Sequence, residues 1–267
     1  MIYKKYLMPD SLWDILKLII PNKKNKFGRP PLSKRKVADG IFYVIFTGIP
    51  WKSAPHFFGS PSSLHRYFQK WINEGVFSTL WIKALIEYDE EKGIFWKWRS
   101  IDAANIKAPL GGDKTGPNPT DRGKKGTKRS IIVDGNGIPI SIEVEGANRH
   151  DSKLLPRNLN SIVIENNNNP IYQDYLCGDK AYDSDELRKL IRDYGLKQKI
   201  TKRGLDQEYQ TKKSFKKARR WVVERTFSWI NKFGKARVRT DKKAQNYIGI
   251  LHFVAAYICF RASGLFT

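Results

Sequence analysis

Asp102 in the run WRSIDAANI, Asp179 in YLCGDKAYDS and Glu224 in ARRWVVERTFSWI are acids set in apolar or basic surroundings. Carboxylates that converge within a few ångströms repel one another, and burial raises the cost of keeping each one charged. A hard divalent cation removes much of that cost. Mg2+ and Mn2+ take oxygen ligands while leaving room for water and for phosphate oxygens. Two such ions held about 4 Å apart activate an attacking hydroxyl and stabilise the leaving oxygen of an in-line displacement at phosphorus. The chemistry that suits these residues is metal-dependent work on phosphodiesters, with Asp102, Asp179 and Glu224 as catalytic and metal-binding residues. Taken one at a time, each acid also has a structural reading: Asp102 as a strand-end turn former, Asp179 as a cap, and Glu224 as an ion-pair partner of Arg220 or Arg225.

Charge points to the same class of partner. The chain carries 49 Lys and Arg against 26 Asp and Glu, a net charge of +23, so its partner is polyanionic and binding should weaken steeply with salt. A merely soluble basic protein is the alternative. Cys177 and Cys259 are far apart in apolar contexts and read as buried free thiols of a reducing compartment. The opening MIYKKYLMPDSLWDI has no secretory pattern, and the apolar stretch over 244–260 is interrupted by Gln245, Asn246, Gly249 and His252. The chain therefore reads as intracellular, cytoplasmic and associated with the nucleoid, with a buried terminal helix.

The elements that must position the acids follow from periodicity. A helix is expected over 9–20, capped by Asp10 or Ser11, with Leu12, Ile15, Leu16 and Ile19 on one face. The basic stretch PNKKNKFGRPPLSKRK reads as an extended arm, with Arg29 entering a minor groove, or as a plain charged linker. Helices are expected over 37–46, ended by Gly48, and over 52–58. Another follows over LHRYFQKWINEG, capped by Ser62 or Ser63 and closed by Gly75. On this last helix Leu64, Phe68 and Trp71 face a core while Arg66, Gln69 and Lys70 project elsewhere. That arrangement suits major-groove reading, or an ordinary bundle with a solvated face.

Residues 96–106 read as a strand carrying Asp102, and 107–128 as a polar mobile loop whose Lys124, Lys125 and Lys128 track a phosphate backbone. SIIVDGNGIPISIEVEG is a hairpin turning at 134–137. A helix opening near Asp151 and Ser152, a strand over 171–177 ending at Asp179, a helix over 185–194, a short strand over 196–200 and a helix over 212–233 complete the set. Asp151 is expected to cap its helix. Trp221 and Trp229 stack on flipped bases or belong to a core. The order is compatible with an α/β, RNase H-like mixed-sheet core preceded by a small helical, helix-turn-helix-like domain, divided as 1–90 and 91–267.

Asp102 in SIDAANIKAP, Asp179 in CGDKAYDS and Glu224 in RRWVVERTFSW, 77 and 45 residues apart, match three segments in order. On these, and on GRPPLSKRKVADGIFYVIFTGIPWKSAPHFFGSPSSLHRYFQKW, the chain resembles a bacterial insertion-sequence transposase of the insertion-sequence-5 group, DDE class. That family commonly has Tyr seven residues before the glutamate, Arg four before and Lys or Arg seven after. Here those places hold Lys217, Arg220 and Asn231, so Arg220 fits, and Lys232 stands one position late.

The resemblance implies that the acids hold two Mg2+ or Mn2+ ions. DNA would be cut at the terminal inverted repeats of the element, and the freed 3′ hydroxyl joined to target DNA. Double-stranded DNA is then the substrate, and bringing two ends together calls for a homodimer on DNA. A catalytically silent repressor and a stand-alone nuclease of the same fold are the competing functions.

Overall fold

The computed structural model describes residues 6–21, 30–164, 174–200 and 220–265. The chain forms two compact units, one of Met1–Glu91 with Ile230–Thr267 and one of Lys92–Trp229. The division differs from a single cut near residue 90, because the last stretch of chain clusters with the amino-terminal helices.

The first unit is helical. Helix α1 spans Asp10–Ile19, α2 Lys34–Thr47, α3 Pro61–Asn73 and α4 Val76–Lys92; after the second unit come the short α8, Gly234–Arg237, and the long α9, Ala244–Ser263. Leu12 and Leu16 of α1 are buried. Its expected side-chain cap is replaced by Pro9, and Asp10 instead pairs with Arg35 at 2.5 Å. Arg35 also holds Asp39 of α2 at 3.0 Å, and Asp39 accepts the backbone N–H of Met8, which ties the start of the unit down. Helix α2 ends as expected at Gly48, φ 80°, a left-handed cap that glycine adopts without strain.

The expected helix over 52–58 is two 3-10 turns, Trp51–Ser53 and His56–Phe58, because Pro55 interrupts it. The cap of α3 is Ser60, which accepts from Ser63 N, with Pro61 at the first helical position. Neither Ser62 nor Ser63 serves as the cap. Helix α4 buries Val76, Phe77, Leu80, Trp81, Ala84, Leu85 and Tyr88 on one face, while Lys83, Ile86, Asp89 and Glu90 are exposed. Gly234 lies so near Gly48 that a Cβ on it would come within 2.6 Å of the Gly48 Cα, so the α8 backbone reaches α2 only where both residues lack side chains. Phe42, Phe233, Phe253 and Tyr257 interlock as the aromatic core.

The second unit is built on one mixed sheet. Its strands are β1 Trp98–Lys107, β2 Gly116–Pro117, β3 Lys125–Val133, β4 Pro139–Gly146, β5 Tyr175–Gly178 and β6 Lys197–Ile200. The strands run β4, β3, β1, β5, β6 across the sheet, with two-residue β2 beside the start of β3. Strands β1, β3 and β4 pair antiparallel, and β1, β5 and β6 pair parallel. A central first strand flanked by an antiparallel hairpin and two parallel strands is the RNase H-like arrangement. The helices are α5 Leu155–Asn160, α6 Asp185–Asp193 and α7 Arg220–Ile230, which runs to the edge of the unit.

The hairpin turns at Asp134, whose carboxylate accepts N–H groups from Phe95, Asn136 and Ile138. Burial raises its pKa against the pull of those bonds. Much of the expected mobile loop over 107–128 is ordered sheet and turn. Gly116 and Pro117 pair with Gly126 and Lys125, and Asn118 is buried.

Candidate active site

Asp102 sits inside β1, and Asp179 directly follows β5, as the sequence predicts. These strands are neighbours and parallel, with Trp98, Arg99 and Ser100 opposite Tyr175, Leu176 and Cys177. Their register offset is the same 77 residues that separates the two aspartates. Continuing that register two residues past Ser100 and Cys177, with Asp179 still extended at φ -83°, brings Asp102 inside β1 level with Asp179 at the end of β5. Adjacent strands lie about 4.8 Å apart, and alternation puts both side chains on one face. Gly178, one residue earlier, belongs to the opposite face: a Cβ there would meet Ile101 Cγ2 at 3.2 Å and Tyr182 Cδ2 at 3.1 Å.

Each aspartate is half-buried and fixed locally. Asp102 Oδ1 accepts the N–H of Ala103 at 2.8 Å. Asp179 Oδ1 accepts that of Ala181 at 2.8 Å and caps the 3-10 turn Lys180–Tyr182. Tyr182, at the end of that turn, is wholly buried. Burial pushes its phenol well above the ordinary value, and the negative charges of Asp151, Asp102 and Asp179 push it the same way. Ser130 lies near enough to oppose the shift, although neither hydroxyl forms a well-shaped hydrogen bond.

Glu224 is carried by α7, exposed on its surface. The helix docks by Val222 and Val223, which are fully buried, and by Phe227, whose ring lies 5.1 Å below the Arg129 guanidinium. Arg129 is two residues from Ile131, the partner of Asp102 across β1 and β3, so α7 covers the sheet face that bears the aspartates. Thr226 Oγ1 donates to Gly137 O at 2.6 Å, and Arg225 donates to Asn136 O at 2.5 Å, which pins the helix to the hairpin turn. Arg225 stacks between Trp221 and Trp229, 4.8 Å and 4.9 Å from their rings.

The donor set suits a hard divalent ion, being carboxylate oxygens that leave coordination positions open. Among the described residues no three His, Cys, Asp or Glu side chains are grouped closely enough to hold a metal ion, so the three acids do not form a closed cage in this structure.

The basic residues fall unevenly. Arg66 and Lys70 of α3 are exposed and Gln69 is half-exposed, while Lys124, Lys125 and Lys232 are exposed. Lys128 is buried, and its ammonium donates to Asp151 and to Arg149 O. That internal pairing removes Lys128 from any surface that follows a phosphate backbone, and it engages Asp151 as an ion partner rather than a helix cap. The cap there is His150, whose Nδ1 accepts Ser152 N. Arg29 and the side chain of Arg220 lie outside the described residues. Sequence reasoning missed Tyr182, whose placement follows from the turn that Asp179 caps. No helix among the described residues is long and apolar enough to cross a membrane, and Cys177 and Cys259 are buried and free as expected.

A family described as "Transposase DDE domain" matches residues 98–259, and "Putative transposase of IS4/5 family" matches residues 8–81. The putative transposase for insertion sequence element IS402 of Burkholderia cepacia is 34% identical over 154 residues, covering 56% of this chain and 70% of that protein. An uncharacterized 16.2 kDa protein of insertion element IS402 from the same organism is 28% identical over 121 residues, 43% of this chain and 82% of its own length. The catalytic domain of Mos1 mariner transposase aligns over 70% of this chain and 92% of its own with 10% identity and a TM-score of 0.30, too distant to bear on individual residues. The first match spans more than half of the sequence and contains all three acids, and the chain belongs to the DDE transposases of insertion sequences.

Proposed function

We propose that the protein cuts DNA at the ends of its insertion sequence and joins those ends to target DNA, using Asp102, Asp179 and Glu224. The observation that carries the reading is the shared register and shared face of Asp102 inside β1 and Asp179 just past β5 on neighbouring parallel strands, with the Glu224 helix docked over that face. Carboxylates held so close need a counter-charge, and Mg2+ or Mn2+ bound there would neutralise developing negative charge and favour hydroxide at neutral pH.

Hydrolysis of one phosphodiester gives a 3′ hydroxyl and a 5′ phosphate. That hydroxyl then attacks a target phosphorus and displaces its 3′ oxygen; the first step spends one water and the second exchanges one phosphodiester for another, so neither needs a redox or nucleotide partner. The residues of the chain act mainly by holding and orienting. Asp102 and Asp179 are set by the sheet, and Glu224 approaches from α7.

In this reading Arg66, Gln69 and Lys70 on the outer face of α3 contact bases and phosphates. Lys124, Lys125, Lys232, Arg220 and Arg29 contact the backbone of double-stranded DNA. The amino-terminal residues 1–90 serve chiefly in binding and 91–267 in catalysis, and two copies pair on DNA to bring two ends together.

The test is nicking of a duplex carrying the inverted repeats that flank the gene, with Mg2+ or Mn2+ added. Wild-type protein should nick and then join the end to a second DNA. Asp102→Asn should bind the duplex and lose cleavage by about 1,000-fold or more. Undiminished cutting by that variant defeats the assignment. Specific binding by wild type without cutting under either metal selects a repressor, and cutting without joining selects a nuclease.

A further inference from the structure

The segment that joins β1 to β3 ends in a turn at odds with its own sequence. Lys124 N donates to Asp121 O at 3.0 Å, and the two residues between them, Arg122 at φ 53° and Gly123 at φ 70°, are both left-handed. Two successive positive φ values closed by that bond make a type I′ turn, whose first central position favours Asn, Asp or Gly. Arginine has a Cβ that crowds its own backbone there, so the turn is strained at that residue.

The strain is imposed from below. Asn118 is 5% exposed, and its Oδ1 accepts from Thr120 N, Thr120 Oγ1 and Asn105 Nδ2 at 3.1, 2.9 and 3.1 Å. Asn118 O accepts from Asp121 N and Gly123 N, and Asn118 N donates to Lys124 O. Gly116 and Pro117 pair with β3 just beneath. The tip is held by hydrogen bonds throughout, and it displays Arg122, Lys124 and Lys125 to solvent. The one acid in the turn, Asp121, stands 3.8 Å from Lys107 Nζ. Arg122 has no ion-pair or hydrogen-bond partner among the described residues.

We infer that Arg122 is a phosphate-contact residue, kept in an unfavourable backbone conformation because its guanidinium must project from a rigid tip onto the phosphodiester backbone of bound double-stranded DNA. A planar fork on a fixed mount loses little freedom on binding and can grip two phosphate oxygens, whereas a lysine on a mobile loop supplies only charge. The inference rests on the DNA-transposase reading, and it adds a residue that charge patterning alone does not single out from the other Lys and Arg residues.

The test pairs stability with binding. Arg122→Asn places a residue that the turn prefers, and Lys189→Gln removes one charge from the exposed side of α6 as a control for net charge alone. The probe is a random-sequence duplex of about 30 base pairs, titrated by fluorescence anisotropy over a range of salt concentrations. Arg122→Asn should melt at the wild-type temperature or higher, bind about 3- to 10-fold more weakly, and lower the slope of log K against log salt by about 0.9. Lys189→Gln should bind nearly as wild type does. Wild-type affinity and slope in Arg122→Asn overturn the inference, as do equal losses in both variants or a lower melting temperature in Arg122→Asn. If wild type itself fails to bind the duplex, the transposase reading falls together with the inference; wild-type binding with an indifferent Arg122 removes the inference alone.

Discussion

The two units of the molecule use opposite kinds of order. The helical unit gathers segments from both ends of the chain around interlocked aromatic rings, with Phe42, Phe233, Phe253 and Tyr257 at its centre. Beside those rings it buries Lys235 and Arg239, which donate to Thr240 and to the Asp241 and Lys242 carbonyls, but its centre depends on close packing of large rings. The sheet unit instead fixes acids and bases at defined registers. Glu143 and Glu145 of β4 are held by Arg157, Lys128 by Asp151, and Asp102 and Asp179 by the pairing of β1 with β5. The rings at the centre of the helical unit carry no charge, while a sheet places charged residues by counting along strands. Substitutions should therefore separate the two: changes in the sheet site reach chemistry before stability, and changes in the helical core reach stability before chemistry.

The largest expected effect is that of Asp179→Asn. Asparagine keeps the oxygen that accepts the Ala181 N–H, so the turn and the melting temperature should stay within about 2 °C of wild type. Cleavage should fall by about 1,000-fold, because a neutral amide neither balances a divalent ion nor supports charge developing at phosphorus. A melting curve and a nicking assay on the same preparation measure both. A large loss of stability would mean that the carboxylate serves the fold, and the contrast between the units would fail there.

His252 offers the opposite case. It lies on α9 with its ring 5.2 Å from that of Trp81, and burial holds its pKa down from 6.5 to about 4. The folded unit keeps the imidazole neutral while the unfolded chain protonates it near pH 6.5. Between those values the unfolded state binds more protons, so stability falls as pH drops from about 6.5 to about 4 and the loss is complete below that. The loss is about 3 kcal/mol from this residue. Thermal melts of wild type and His252→Leu should lie closest at neutral pH and separate toward pH 4, with wild type the lower, if the histidine carries the effect. Parallel curves would show that it does not.

Much of this architecture was written in local patterns. The alternating β-branched runs around Asp134-Gly135-Asn136-Gly137 gave the hairpin, and Gly48 and Gly75 marked helix ends. Asp179 followed its strand because an apolar run ending in Cys177-Gly178 leaves little else. Other parts depend on contacts that no local pattern carries. Helix α4 buries one face, but Ile86 on the other is exposed, so its apolar residues blur the stripe. The stretch over 107–128 looked too polar to pack, yet a single buried Asn118 supplies the bonds that order it. Lys128 looked like surface charge, but strand alternation turns it inward to Asp151. The return of Ile230–Thr267 to the helical unit is a matter of tertiary packing, and sequence order suggested the other unit. Composition gave the expectation of a polyanionic partner; spacing and register together placed the two aspartates on neighbouring strands.

Glu224 is the acid whose placement depends least on register, and the smallest effect bears on it. Its helix is pinned to the hairpin by Thr226, a buried residue whose Oγ1 donates to Gly137 O at 2.6 Å and lies 3.1 Å from Val222 O. Valine in its place keeps the shape and loses the donor, which leaves the Gly137 carbonyl without that bond at a cost of about 1 kcal/mol. Because the contact lies at the hairpin turn rather than at the acids, Thr226→Val should cut about 3-fold more slowly while DNA affinity is unchanged, as expected for a helix that still docks but is less well fixed. If cleavage by Thr226→Val is indistinguishable from wild type while the melting temperature falls by several degrees, the hairpin contact belongs to the fold alone. Glu224 must then be oriented by Phe227 and Arg129, and Phe227→Leu becomes the variant that should separate helix position from helix stability.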